Sequence, residues 1–344
     1  MQEPLFNNIL LKQLPSTQYL GSKQKLVRWI LNNTPDCNTV FDAFSGSGVV
    51  AYNFKKAGKQ VICNDFLTSS YYYAKAFVEN NNVTLNKKDI KHLLDINDKH
   101  DDYITKHFSN VFYTSDECKF IDNTYANILK FRNEYKRALA FAALIRTCIQ
   151  KMPGGKFRSN LLNYRNKNHI HYRPKFIKDI RDTFKKFLEG YNASVFDNSK
   201  RNKAYNENIF NVLPKINTDL IYFDPPYGGS GFNYEKDYFF IEILTKFYGK
   251  INKFNGVTKT YETLRDSGFV KKFELTDSFL KLFEMANHIP FWIVSYNNRS
   301  IPKYDDFMIL IKKFRKNVTV HEKPYSYRIG NNLGLKEYLF VCTK

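Results

Sequence analysis

The sequence predicts an α/β fold built on an open, mostly parallel sheet, and three observations predict it. A strand-like run, Thr39 to Phe44 (TVFDAF), passes into a Gly46-Ser47-Gly48 turn. A helical stretch follows, and a second strand-like run ends on Asp65. Far downstream, Asp219 to Phe223 (DLIYF) repeats the pattern of a buried strand. Strand, turn, helix and strand in that order make a βαβ unit, whose strands lie parallel in one sheet.

Each element has a local reason. Leu26, Val27, Ile30 and Leu31 stand at helical spacing, and Pro35 stops that helix. Val49 to Ala57 reads as a helix ended by Gly58, and Val61 to Asp65 as the next strand. Residues from about 80 to 105 are polar, with one short helix. Thr114 and Glu117 have the spacing of a capping box, opening helical material that runs towards Met152. Pro153-Gly154-Gly155 breaks it, a basic polar stretch follows, and a helix is expected near 176–189. After the Asp219–Phe223 strand come helices around 236–250 and 274–286, a strand at Phe291 to Ser295, and β segments around Val318–Val320 and Glu337–Cys342. The sheet therefore draws on both ends of the chain, with an insertion between about 85 and 200.

Composition narrows the function. At 43% hydrophobic and 17% aromatic residues there is material for a sizeable core. No apolar run reaches the about 18 residues a membrane span needs, and no signal-peptide pattern opens the chain, so the expectation is a cytoplasmic protein with no membrane partner. Cys37, Cys63, Cys118, Cys148 and Cys342 are scattered with no C-x-x-C pair, which indicates buried reduced thiols rather than disulfides or a zinc site. His169 and His171 lack a companion Cys or carboxylate, so no metal is expected. A net charge of +20 suits a polyanionic partner, although AT-rich coding would also raise the lysine count.

Three segments carry chemistry. The Asp42-Ala43-Phe44-Ser45-Gly46-Ser47-Gly48 turn lets a ligand approach the backbone, and Asp65 stands where an acid accepts ribose hydroxyls. Ala51 replaces the third glycine of G-x-G-x-x-G, so a dinucleotide site and a purely structural turn both stay open. Asp224-Pro225-Pro226-Tyr227 ends the downstream strand, where ligands of open α/β sheets bind. The Asp224 carboxylate and Pro225 carbonyl would each accept one N–H of a conjugated amine, freeing its lone pair to attack a methyl group. Proline fixes those acceptors, and Tyr227 offers a face for an extruded base. In Tyr19-Leu20-Gly21-Ser22-Lys23, a lysine beside a glycine turn suits an amino-acid carboxylate.

Together, and in this order, the segments resemble the Dam-like family of adenine-specific DNA methyltransferases: Y-x-G-x-K, F-x-G-x-G, a recognition insert, then D-P-P-Y. The resemblance implies a Rossmann-like methyltransferase sheet with a late antiparallel strand. Residues 1–84 and 200–344 would form the catalytic domain, and 85–199 an inserted, mainly helical target-recognition module. It implies S-adenosyl-L-methionine as cofactor. Lys23, with the Tyr19–Gly21 turn, would hold its carboxylate. Asp42 and Phe44 through Gly48 would wrap its methionine and sugar, and Asp65 its ribose. Asn208, beside Glu207, stands where family members often carry an acid for the cofactor's adenine. Asp224, Pro225, Pro226 and Tyr227 would be catalytic, acting on an adenine flipped from double-stranded DNA. Ser295-Tyr296-Asn297-Asn298 matches the family's late segment, with a structural or target-side role.

The insert is where sequence specificity should reside. Lys151, Lys156, Arg158, Arg165, Lys167, Arg173 and Lys175 form an unbroken basic stretch with Phe157, Tyr164 and Tyr172 interleaved. With Asn166, these residues are expected to contact phosphates and base edges. A restriction–modification or DNA-marking role follows from the resemblance, with a cognate endonuclease as partner and a single copy acting on DNA. The alternatives are a catalytically silent nucleic-acid-binding module, or an amino methyltransferase acting on RNA or cytosine.

Overall fold

The computed structural model describes residues 12–97, 99–157, 161–170, 172–226, 233–262, 265–325 and 334–344. Seven strands form one sheet: β1 (Thr39–Asp42), β2 (Gln60–Asn64), β3 (Lys203–Tyr205), β4 (Leu220–Phe223), β5 (Phe291–Asn297), β6 (Asn317–Pro324) and β7 (Lys336–Thr343). Their order is β3-β2-β1-β4-β5-β7-β6. The strands β1 to β5 pair in parallel, and β7 runs antiparallel to both its neighbours. This is the Rossmann-like sheet with a late antiparallel strand that the sequence leads one to expect. The strand order reverses between β1 and β4, which puts a ligand crevice at their carboxyl ends.

Both faces of the sheet are covered, so its central strands are apolar without alternation; all four residues of β4 are buried. Side chains still divide by parity. Val40, Leu220, Tyr222, Ile293 and Leu339 enter one core. Phe41, Ile221, Phe223, Trp292, Val294 and Phe340 enter the other.

On the first face lie α1 (Val27–Asn32), α2 (Val49–Lys56) and α3 (Thr68–Ala74), the last extended by a π-helical turn, Lys75–Glu79. The stretch between β2 and β3 then holds α4 (Lys87–Leu94), α5 (Tyr103–Phe108), α6 (Ser115–Leu129), α7 (Glu134–Gln150) and α8 (Ile180–Ser194). The expected capping box opens α6, with Thr114 accepting from Glu117 N–H and Glu117 from Thr114 N–H. Every residue of α7 from Ala138 to Ile149 is buried, and its core is continuous with that of the first sheet face.

The later helices are α9 (Ile209–Val212), α10 (Tyr234–Asp237), α11 (Phe239–Glu242), α12 (Leu275–Met285) and α13 (Tyr304–Lys312). Two expectations shift. The helix expected near 176–189 starts at Ile180, because Asp179 caps it by accepting from Arg181 and Asp182 N–H. The one expected at 236–250 is broken into α10, α11 and a π-helical turn, Ile243–Phe247. The elements β3, α3 and α13 had no expectation. No described helix is long and apolar enough to cross a membrane. All five cysteines are buried, and none is in a disulfide.

Candidate active site

The carboxyl ends of β1, β2 and β4 open on a cleft of about 1060 Å³, counting the space up to its mouth. Its rim is the glycine turn. Gly46 and Gly48 have φ of 48° and 72°, and a Cβ on Gly46 would lie 3.0 Å from Tyr19 Cε1. Glycine is therefore required for close packing as well as for backbone conformation. The turn is tied to β2 by Ser45 N–H donating to Asn64 O at 2.9 Å. Gly46 N–H donates to Asp65 Oδ2 at 2.7 Å.

Two acids stand in the cleft in unlike states. Asp65 accepts from Gly46 and Leu67 N–H, yet burial outweighs these bonds and lifts its pKa to about 6. Asp42 is 1% exposed, and neither of its oxygens has a hydrogen-bond partner among the described residues. Burial first, then the charges of Asp224 and Asp65, push it well above the ordinary carboxylate range; the backbone N–H groups of Phe44 and Ala51 oppose this only weakly.

The amino-terminal segment meets the Asp224 segment directly. Lys23 Nζ lies 2.9 Å from Asp224 Oδ1, with the lysine 3% and the aspartate 17% exposed. Ser22 and Ser47 hydroxyls are 3.2 Å apart, joining this segment to the glycine turn. The Tyr19 ring stacks on Tyr238 and Tyr234, with centroids 5.0 and 6.1 Å away, and Tyr238 Oη accepts from Leu20 N–H. Tyr222 and Ser295 hydroxyls hydrogen-bond at 2.7 Å, tying β4 to the late segment. Asn297 Oδ1 accepts from Arg299 N–H and the Ser300 hydroxyl, so that segment is internally braced.

Phe44, Phe66, Ile209 and Phe269 give the cleft an aromatic and apolar wall. Here the structure corrects one expectation. Asn208 faces away from the cleft, because its side chain caps α9, accepting from Phe210 N–H and donating to Asp266 O. Its neighbour Glu207 lines the cleft instead. Tyr227 lies outside the described residues; Pro226 lines the cleft.

The basic stretch divides. Lys151 is 2% exposed, pairs with Glu117 at 2.7 Å, and donates to the carbonyls of Phe176 and Lys178. Arg165 pairs with the same carboxylate and donates to Phe112 O. Both are turned inward, contrary to the expected DNA contacts, because a half-buried glutamate at the head of α6 requires counter-charge. Lys156 is half-buried, 3.5 Å from Asp237, and Lys175 is half-buried beside Phe176. Asn166, Lys167 and Arg173 are exposed, and Arg158 and His171 lie outside the described residues.

Several cleft residues escaped the sequence reading: Phe66, Arg265 and Phe269, with the supporting Tyr234 and Tyr238; Glu207 entered it only as the neighbour of Asn208. The four-residue spacing of the two tyrosines was the one available signal.

Comparison with known proteins agrees with this geometry. A family model described as D12 class N6 adenine-specific DNA methyltransferase matches residues 19–297, from the Tyr19 segment to the end of β5. The type II methyltransferase M2.HphI of Haemophilus parahaemolyticus is 33% identical over 324 residues, covering 92% of this chain and 93% of that protein. M.FokI of Planomicrobium okeanokoites and the modification methylase StsI of Streptococcus sanguinis are each 27% identical. The matches cover 91% and 95% of this chain but only 48% and 52% of those two proteins, about half of each. The chain belongs to the D12 class N6 adenine-specific DNA methyltransferase family, and it is an adenine-specific DNA methyltransferase.

Proposed function

We propose that the methyl donor is S-adenosylmethionine, that it occupies this cleft, and that Asp224 with Pro225 aligns the amino group of an adenine flipped from duplex DNA. The observation that carries the reading is the polarity of the cleft. Asp224 meets the glycine turn and the partnerless Asp42 carboxylate, and the same cleft has its aromatic and apolar wall. A buried carboxylate opposed only by the weak pull of the Phe44 and Ala51 N–H groups is costly, and a ligand ammonium would satisfy it. Asp65 retains acceptor capacity for ribose hydroxyls after its two backbone bonds. The donor supplies the methyl group; the chain's own residues orient and desolvate. Asp224 and the Pro225 carbonyl accept the two amino N–H bonds, so the nitrogen lone pair turns from the ring towards the methyl. Tyr227 stacks the base. Lys23 is committed to Asp224 at 2.9 Å and acts on that carboxylate's charge and aim rather than on the donor.

Residues 85–199 form the target-recognition module in this reading. Lys167, Arg173 and Asn166 approach DNA, helped by Lys156, Lys175 and Arg158, while Lys151 and Arg165 hold the module together. The relatives named as type II methyltransferases support a restriction–modification role; a cognate endonuclease and a single copy working on cytoplasmic DNA complete the proposal. The test is transfer of labelled methyl to duplex DNA in single turnover. Asp224→Ala should lower the rate roughly a hundredfold or more while cofactor affinity stays near wild type. Near-wild-type turnover would overturn the assignment of Asp224.

A further inference from the structure

The apolar wall of the cleft is formed by two segments remote in sequence. One is the turn from Asp65 to Leu67 after β2; the other carries Arg265, Ser267, Phe269 and Val270. The Arg265 side chain joins them. Its Nη1 donates to Phe66 O at 2.9 Å, and its guanidinium lies 4.5 Å from the centroid of the Phe66 ring. Its Nη2 pairs with Glu242 Oε2 at 2.7 Å, and its Nε reaches Glu235 Oε1 at 3.4 Å. Glu242 is fully buried and accepts from Thr68 and Ser69 N–H, so one carboxylate grips both the arginine and the first turn of α3. On the facing segment, Phe269 packs edge-on against Phe44, with centroids 5.5 Å apart. Phe66 and Phe269 thus line the cleft on segments whose relative position depends on Arg265.

We propose that Arg265 is a positioning residue for the purine end of the cofactor, fixing Phe66 and the Ser267–Val270 wall at the separation that receives the ring. This rests on the reading that S-adenosylmethionine occupies the cleft. With the methyl directed to Asp224, the adenosine extends past Asp65 to these walls. An arginine suits the task because its planar fork bonds in several directions while its face stacks on an aromatic ring.

The test compares two ligands by calorimetry: S-adenosylhomocysteine, and 5′-methylthioadenosine, which lacks the amino-acid end. Arg265→Lys keeps the charge and loses the fork. Arg265→Gln with Glu242→Gln removes both charges of the closer ion pair, while Glu235 keeps the hydrogen bond it accepts from the Tyr261 hydroxyl. Both proteins should lose about tenfold or more in affinity for both ligands by similar factors, whereas Asp42→Asn should weaken S-adenosylhomocysteine only. Thermal midpoints and affinity for random duplex DNA monitor the fold. Ligand affinities within about twofold of wild type in both Arg265 proteins, even with lowered thermal midpoints, would overturn the proposal. Loss for S-adenosylhomocysteine alone would also overturn it, by placing the effect at the methionine end. Wild type binding neither ligand would instead remove the cofactor reading, and the proposal with it.

Discussion

Lys23 and Asp224 form an ion pair of 2.9 Å in which the lysine is almost wholly withdrawn from water. Burial pulls the lysine pKa down, but Asp224 first and Glu337 next outweigh it, so Lys23 is held above its ordinary value and stays charged. The pair couples the Tyr19–Lys23 segment to the Asp224–Tyr227 segment, and the two side chains are expected to fail together.

Lys23→Met should lower the methyl-transfer rate by roughly thirtyfold, because a charge-assisted bond that orients Asp224 is worth about 2 kcal/mol. Cofactor affinity should change by less than about threefold, since the lysine is spent on Asp224. Single-turnover rates of Lys23→Met, Asp224→Asn and the double variant form a cycle; strict additivity would show that the two residues do not act as a unit.

Asp42→Asn should stabilise the ligand-free protein and weaken cofactor binding at once. The carboxyl is buried, partnerless and raised in pKa, so its ionised form burdens the empty cleft. A thermal midpoint rising by roughly 2 °C or more at pH 8 is expected, with about a tenfold loss of S-adenosylhomocysteine affinity. A lower midpoint with unchanged affinity would refute both roles.

Asp65 sets a pH dependence. Its folded pKa of about 6 lies above the ordinary value of 3.8, so the folded protein holds that proton more tightly than the unfolded chain does. The stability from this group is full below the ordinary value and is lost as pH rises through about 6. The wild-type thermal midpoint measured from pH 4 to 7 should carry this downward component, and Asp65→Asn should lack it. Parallel curves would show that Asp65 does not titrate in this window.

The basic stretch should separate by inward and outward residues. Lys151→Ala should cost about 2–4 kcal/mol in denaturant unfolding, because it removes a buried ammonium paired with the half-buried Glu117. Lys167→Ala and Arg173→Ala should leave stability unchanged, weaken binding to duplex DNA, and each lower the salt slope by about one contact. Salt titrations in which the outward variants match wild type would move the DNA surface elsewhere.

What the sequence made legible was whatever short-range chemistry dictates. The TVFDAF run, its glycine turn and the DLIYF strand before Asp224 are apolar runs closed by turn residues, and each lies where expected. The helix α3 was hidden because Thr68, Ser69 and Ser70, polar in sequence, are all buried, leaving no helical period to read. The strand β3 is three residues long and derives its form from pairing with β2. Asn208 shows a limit of another kind, since an amide before a helix fits both a ligand contact and an N-cap, and only the fold selects the cap. Arg265 sits in no motif, and its meaning depends on Glu242 and Phe66, which only folding brings to it.

The register Val40↔Leu220 at the centre of the sheet has a consequence for how the molecule is made. The strand β1 emerges from the ribosome early, yet its neighbour β4 follows only after the whole helical stretch between β2 and β3 has been synthesised. Asp219, which receives Asn38 and Thr39 N–H on one carboxylate oxygen, arrives with that neighbour. Until then β1 presents an open apolar edge beside β2 alone, and contacts this distant in sequence close slowly. A nascent chain halted before residue 219 would therefore carry the helices between β2 and β3 on an unsealed sheet, and would be a natural client for chaperones that shield exposed strands.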